Sequence, residues 1–170
     1  MYYEILNFEH LAGVEPLSLP EIKNFLRVNV DIDDGFILRL YNARLRFVEE
    51  VSGKVLKKSQ IEFVAFNPIH EIEVPYSKLD QVVSVYDSKG NEITDYDVLG
   101  DVITFDPVVE DCKYLKIVYN AVPTNIDELI TVLLMLINYD YNSKDVFALK
   151  KVPQDTAIQK MIDNIKKVRI

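Results

Sequence analysis

The sequence contains no tryptophan, one cysteine, two histidines and only five glycines in 170 residues. Each shortage closes off a kind of chemistry. With Cys112 alone, neither an intrachain disulfide nor a thiolate cluster for a metal can form. Cys112 reads as a bland, partly buried thiol. His10 and His70 show no His-Glu-x-x-His spacing, and His70 falls in an expected turn between strands, so neither marks a zinc site. No Gly-x-Ser-x-Gly elbow supplies a serine nucleophile. Positive charge is short as well: the formal net charge is −8, which argues against wrapping nucleic acid through phosphate contacts. The longest apolar run, ITVLLMLIN at 130–138, is far too short to span a bilayer. The start, MYYEILNFEH, lacks the basic stretch and apolar core of a signal peptide. Together these shortages predict a chain with no metal, no cofactor and no membrane partner, made in a reducing cytoplasm.

What remains is ordinary globular material. Hydrophobic residues make up 49% and charged residues 27%, enough for a packed core without staples. The charge is unevenly placed. Between Lys150 and Ile170 six basic residues face two acidic ones, a surplus of four positive charges, and the other 149 residues carry −12. An acidic body with a basic end suggests an end that docks on an acidic surface, such as another subunit. A solvated helix face explains the same pattern.

Helical periodicity marks both ends of the chain. SLPEIKNFLRV opens with Ser18 as N-cap, Pro20 in the first turn and Glu21 three residues after the cap, a capping box. Asp33 or Asp34 caps a second helix, GFILRLYNARLRFVEEVS, whose apolar stripe is Ile37, Tyr41, Leu45 and Val48, widened by Leu38 and Val51. That helix is about 27 Å long at 1.5 Å per residue. Gly53 ends it by taking the left-handed conformation that a β-carbon penalises. Later, PTNIDELITVLLMLINYDYNS is capped at Thr124 or Asn125 and is apolar on most sides through Ile126, Ile130, Leu133, Leu134 and Ile137, which predicts the most buried helix. A last helix starts at Pro153 with Ile158, Met161, Ile162 and Ile165 as its inner stripe.

The middle is strand-like. IEFVAF (61–66), EIEV (71–74), VVSVYD (82–87), DVITF (101–105) and YLKIVY (114–119) are short and rich in β-branched and aromatic residues. Pro68, Pro75, Lys89-Gly90-Asn91, Gly100-Asp101 and Pro107 separate them. The predicted fold is therefore α+β: a four-helix core, with a small antiparallel β-sheet inserted between the N-terminal and C-terminal pairs and projecting from between them. The helical core covers 17–56 and 123–168 and the β-rich insert about 57–121, within a single domain of 1–170.

Two local motifs invite a ligand and fail. Gly53-Lys54 suggests a phosphate loop, but Val48 stands at the first glycine position, Val55 replaces the hydroxyl residue, and the stretch follows a helix. DIDDG (31–35) suggests a calcium loop. Starting from Asp31 puts Phe36 and Asn42 at the glycine and glutamate positions; starting from Asn29 puts Asp34 and Leu40 there. Both are better read as a helix stop and a helix start. A dispersed carboxylate pair is the enzymatic reading that spacing leaves open.

The order of these features resembles the phage head-tail connector family, also called adaptor or head-completion proteins. The resemblance lies in Pro16 to Leu19, Leu26-Arg27-Val28, the acidic break Asp31 to Asp34, and Val48-Glu49 running through Ser52-Gly53 to Leu56. It continues in the strand Val82 to Val85, the hairpin Ser88 to Asn91 and the late helix IDELITVLLMLINYDYN, and spans about residues 14–166. It implies a non-enzymatic virion component of a tailed phage or prophage. Such proteins form a homo-oligomeric ring, closed and usually of about twelve copies, beneath the portal protein. The ring extends the channel through which DNA passes, without sequence-specific binding, and offers a platform to a stopper or tail-completion protein. Some members are monomeric until they assemble on the portal. The basic segment with Lys160, Lys166, Lys167, Arg169 and Ile170 is then the candidate portal-docking element, and Ser18, Glu21, Asp34 and Gly53 are structural helix caps. The alternative is a non-catalytic α+β protein-binding module unrelated to virion assembly.

Overall fold

The computed structural model describes residues 2–66, 70–105, 112–143 and 156–167, with only the backbone of 156, 166 and 167. The chain divides into two compact units. One comprises Met1–Val14 with Lys57–Thr124, the other Glu15–Leu56 with Asn125–Ile170. The fold class is α+β. The breakers Pro68 and Pro107 and the predicted helix start at Pro153 lie outside the described residues.

Among the described residues the second unit holds four helices: α1 (Leu19–Leu26), α2 (Asp34–Ser52), α3 (Asp127–Ser143) and α4 (Thr156–Lys167). Helix α1 carries a reciprocal capping box. The Glu21 N–H donates to Ser18 Oγ at 3.4 Å, and the Glu21 carboxylate accepts the Ser18 N–H at 2.7 Å. The Ser18 hydroxyl and then its backbone N–H hold the Glu21 carboxyl below its ordinary range. A carboxylate lowered in the folded state stabilises above its unfolded pKa, and that contribution disappears as pH falls through the lowered value. We expect Ser18→Ala to cost about 1 kcal/mol and to flatten the acid-side slope of stability, read from urea titrations at several pH values. An unchanged slope would show that the box does not couple protonation to folding.

Of the two caps expected for helix α2, the first is found. Asp33, not Asp34, is the N-cap, and its side chain makes no capping bond. Its carboxylate instead accepts the Tyr141 hydroxyl at 2.7 Å. Asp34 sits inside the first turn and pairs with Lys23 at 2.7 Å. At the other end Gly53 takes φ 64 and donates its N–H to the Glu49 carbonyl at 2.9 Å. Lys54 gives its backbone N–H to Ser52 Oγ, a local turn with no phosphate geometry.

The helical core comprises Ile37, Leu40, Tyr41, Leu45 and Val48 from α2, Leu129, Val132, Leu133, Leu136 and Ile137 from α3, and Ile158, Ile162 and Ile165 from α4. The buried stripe of α2 runs through Leu40 and Arg44 rather than through Leu38, which is exposed. Likewise α3 buries Leu129, Val132 and Leu136, while Ile126, Ile130 and Leu134 flank the core. The expected stripe Ile37, Tyr41, Leu45 and Val48 of α2 is buried, as are Leu133 and Ile137 of α3, and Arg44 and Asp140 join these buried faces. Arg44 Nε donates to Asp140 Oδ2 at 2.5 Å and Nη2 to Oδ1 at 2.8 Å, with both residues buried. The Arg44 guanidinium also lies over the Phe47 ring at 5.5 Å. Glu49, fully buried, accepts the Leu56 N–H at 2.8 Å and so ties the chain beyond Gly53 back to α2.

Among the described residues the first unit contains two antiparallel sheets rather than one. The larger runs in the order β1-β2-β7-β4 and the smaller β3-β6-β5, from β1 (Tyr2–His10), β2 (Ser59–Phe66), β3 (Glu71–Glu73), β4 (Leu79–Asp87), β5 (Tyr96–Leu99), β6 (Val102–Phe105) and β7 (Tyr114–Ala121). Strands β1 and β5 were not expected. The amino-terminal stretch joins this unit because β2 is buried along most of its length and needs a partner on each side. Ile61, Phe63, Ala65, Leu115, Ile117 and Tyr119 form the buried face. Tyr119 accepts the Tyr76 N–H at 3.0 Å and donates to the Tyr76 carbonyl at 3.1 Å, and burial pushes its phenol well above the ordinary tyrosine range.

Candidate functional site

Of the five residues in the predicted docking segment, the structure places one side chain. Burial of Ile158, Ile162 and Ile165 on the helical core turns Lys160 to solvent. Lys166 and Lys167 are the last residues of α4, with side chains outside the described residues, as are Arg169 and Ile170 altogether.

Two other surface features of the helical unit are built with more precision. The first is the connection between α1 and α2. Arg27 closes α1 in the left-handed region at φ 57, and the Val28 N–H returns to the Lys23 carbonyl at 3.0 Å. Lys23 Nζ then bridges Asp31 and Asp34, each at 2.7 Å. Asp31 above all, with Asp34, holds the Lys23 ammonium above its ordinary range, and Lys23 holds the Asp31 carboxyl below its own. On the far side the Tyr141 hydroxyl grips Asp33, and its ring packs on Phe36 at 6.2 Å between centroids. The connection is thus fastened on both sides. Ile32 stands at its tip, 90% exposed, with Val30 at 56% beside it.

The second feature is a recess of about 440 Å³ lined by Met135, Asn138, Tyr139, Asn142, Ser143 and Ile158. Its lining mixes the apolar Met135 and Ile158 with Tyr139 and the polar Asn138, Asn142 and Ser143. The Asn142 amide donates to the carbonyl and side-chain oxygen of Asn138 at 2.8 and 2.9 Å. Among the described residues that line it there is neither a carboxylate nor a histidine.

Among the described residues no group of three or more His, Cys, Asp or Glu side chains is placed to share a metal ion. His70 uses its carbonyl to accept the Phe105 N–H, and Cys112 is half-buried and accepts the Ser88 N–H at 3.4 Å. No helix among the described residues is long and apolar enough to cross a membrane. Sequence reasoning had no route to the recess, whose walls come from two helices. The acidic break at 31–34 did point to the loop, but as a helix cap rather than as the mount for Ile32.

Neither a protein-family model nor a curated protein matches the chain. Solved structures do. A chain in the neck of an empty gene transfer agent (GTA) particle, computed with C6 symmetry, aligns with a TM-score of 0.71 and 14% identity over 97% of both chains. A chain in the virion of the native GTA particle aligns with a TM-score of 0.68 and 12% identity over 96% of both. A third, from the neck of the native particle computed with C12 symmetry, gives 0.64 and 14% over 97% of both. At these identities the likeness establishes a common fold, end to end: both units and their order along the chain belong to the architecture found in those particles.

Proposed function

We propose that this protein is a structural head-tail connector (adaptor) of a tailed phage or prophage, without catalytic activity. The observation that carries the reading is the alignment of nearly the whole of both chains with chains from phage-like particles, two of them from particle necks. The order of sequence features that resembles the connector family supports it independently. In this reading the chain assembles in the host cytoplasm and ends at the head–tail junction of the virion. There a ring of about twelve copies sits under the portal, consistent with a neck computed with C12 symmetry. The ring completes the head after DNA packaging, extends the DNA channel and receives a stopper or tail protein. A net charge of −8 suits a channel wall past which DNA slides, because it offers phosphates few cations to hold.

The portal-docking role belongs to the carboxyl-terminal segment. Mixing the purified protein with its portal should give rings visible by electron microscopy. Deleting residues 166–170 should abolish portal binding while leaving the helical circular dichroism intact. Unchanged binding would remove the docking role from this segment, and the absence of any complex with the full chain would remove the connector reading.

A further inference from the structure

Residues 15–34 of the helical unit form a strap pinned at both ends by tyrosines. At its start the Tyr41 hydroxyl of α2 donates to Glu15 Oε2 at 2.9 Å. At its end the Tyr141 hydroxyl of α3 donates to Asp33 Oδ2 at 2.7 Å. Between the pins lies α1, eight residues long, too short to persist as a helix without packing. That packing is thin. Ile22 is the one residue α1 buries, against eight of the nineteen in α2. Leu17 is buried ahead of the helix, Leu19, Leu26 and Val28 only flank the core, and Phe25 is exposed. The helix also ends under strain, because Arg27 takes φ 57, a left-handed conformation that its β-carbon penalises. Lys23 Nζ offsets this by joining Asp31 and Asp34 at 2.7 Å each.

We propose that α1 opens as a flap between its two tyrosine pins while α2, α3 and α4 stay folded, and that Lys23 is its latch. The flap is a property of the helical unit whether or not the chain serves as a connector. Opening breaks the two Lys23 ion pairs, withdraws one fully buried side chain of the helix and releases the strain at Arg27. Unfolding the unit would instead dismantle the core that α2, α3 and α4 build among themselves. The first event is therefore the easier one, as expected of an element with few buried apolar contacts. Lifting α1 bares the apolar surface of α2 and α3 against which it packs. The closed state hides that surface, and the latch sets how often it is shown.

Native-state hydrogen exchange on the full chain, read peptide by peptide by mass spectrometry, tests this. In the parent protein the amides of residues 22–28 should exchange at least about tenfold faster than the buried amides of α2 and α3. Lys23→Met keeps the aliphatic stem and removes the charge. It should speed exchange in α1 about fivefold and leave α2 and α3 unchanged. Arg27→Gly relieves the left-handed strain and should slow exchange in α1 about threefold. The two variants act in opposite directions, so general destabilisation imitates at most one of them. Exchange in α1 at the rate of α2 and α3 would overturn the flap, as would a Lys23→Met protein in which all three helices speed up together. The latch is overturned if Lys23→Met leaves α1 unchanged, and the strain that favours opening if Arg27→Gly fails to slow it.

Discussion

Arg44→Met will destabilise the helical unit by about 3–5 kcal/mol, the usual cost of leaving one member of a buried ion pair without the other. Both side chains are out of water: Arg44 is 0% and Asp140 1% exposed. The two parallel bonds at 2.5 and 2.8 Å are what compensate their desolvation. With methionine at 44, the Asp140 carboxylate keeps its burial and loses its counterion. Asp140→Asn should be milder, because an amide still accepts from the guanidinium. The informative comparison is Arg44→Met/Asp140→Leu. Replacing both partners with apolar groups removes the desolvation cost together with the attraction, so the double variant should return to within about 1 kcal/mol of the parent or exceed it. Urea unfolding followed by helical circular dichroism measures all three. A double variant as unstable as Arg44→Met alone would mean that packing around Phe47, not charge pairing, is what the arginine provides.

In the other unit, Phe63→Ala should cost about 3–5 kcal/mol. Phe63 is fully buried in β2, between two strands, and its ring meets Tyr119 edge-on at 5.8 Å and Tyr3 at 6.3 Å. Truncation removes those contacts and leaves a hole that rings held by the ladder cannot fill. Glu62 provides the control one residue earlier, on the opposite face. It pairs with Lys116 at 2.6 Å, but Lys116 is 43% and Glu62 25% exposed, so Glu62→Ala should change stability by less than about 1 kcal/mol. Amide hydrogen exchange across β2 and β7 distinguishes the two variants. Comparable losses would contradict the assignment of one face as core and the other as solvent-facing.

These residues also show where sequence reading works and where it stops. The helix ends were legible because caps are local. Ser18 and Glu21 sit three residues apart, and the left-handed turn at Gly53 needs only its own backbone. The α+β class was legible from the change in hydrophobic period, and the strand cores at 61–66 and 114–119 fell inside β2 and β7. Strand β1 was missed although YYEILNFEH has strand-forming residues. The irregularity between Ile5 and Asn7 breaks the alternation that would have announced it. Its partner β2 also begins some fifty residues later, a pairing no local window contains. Strand β5, YDVL, is four residues with little burial and gains its order from β6.

By itself, then, the sequence determined the elements whose physics is local: which stretches coil, where α1 starts and α2 stops, and that no intrachain disulfide can form; α3 starts at Asp127, beyond the expected caps Thr124 and Asn125. Only tertiary structure decided which polar groups join the apolar stripes inside the core. Arg44 and Asp140 lie 96 positions apart, and only the packing of α2 on α3 brings them together inside the core. The same holds for Ile32. In sequence it is one apolar residue in an acidic break. What makes it a protrusion is Lys23 on one side and Tyr141 on the other, and the latter contact spans more than a hundred residues of chain. Pairing of that range depends on how the packed helices place their surfaces, which local propensity does not encode.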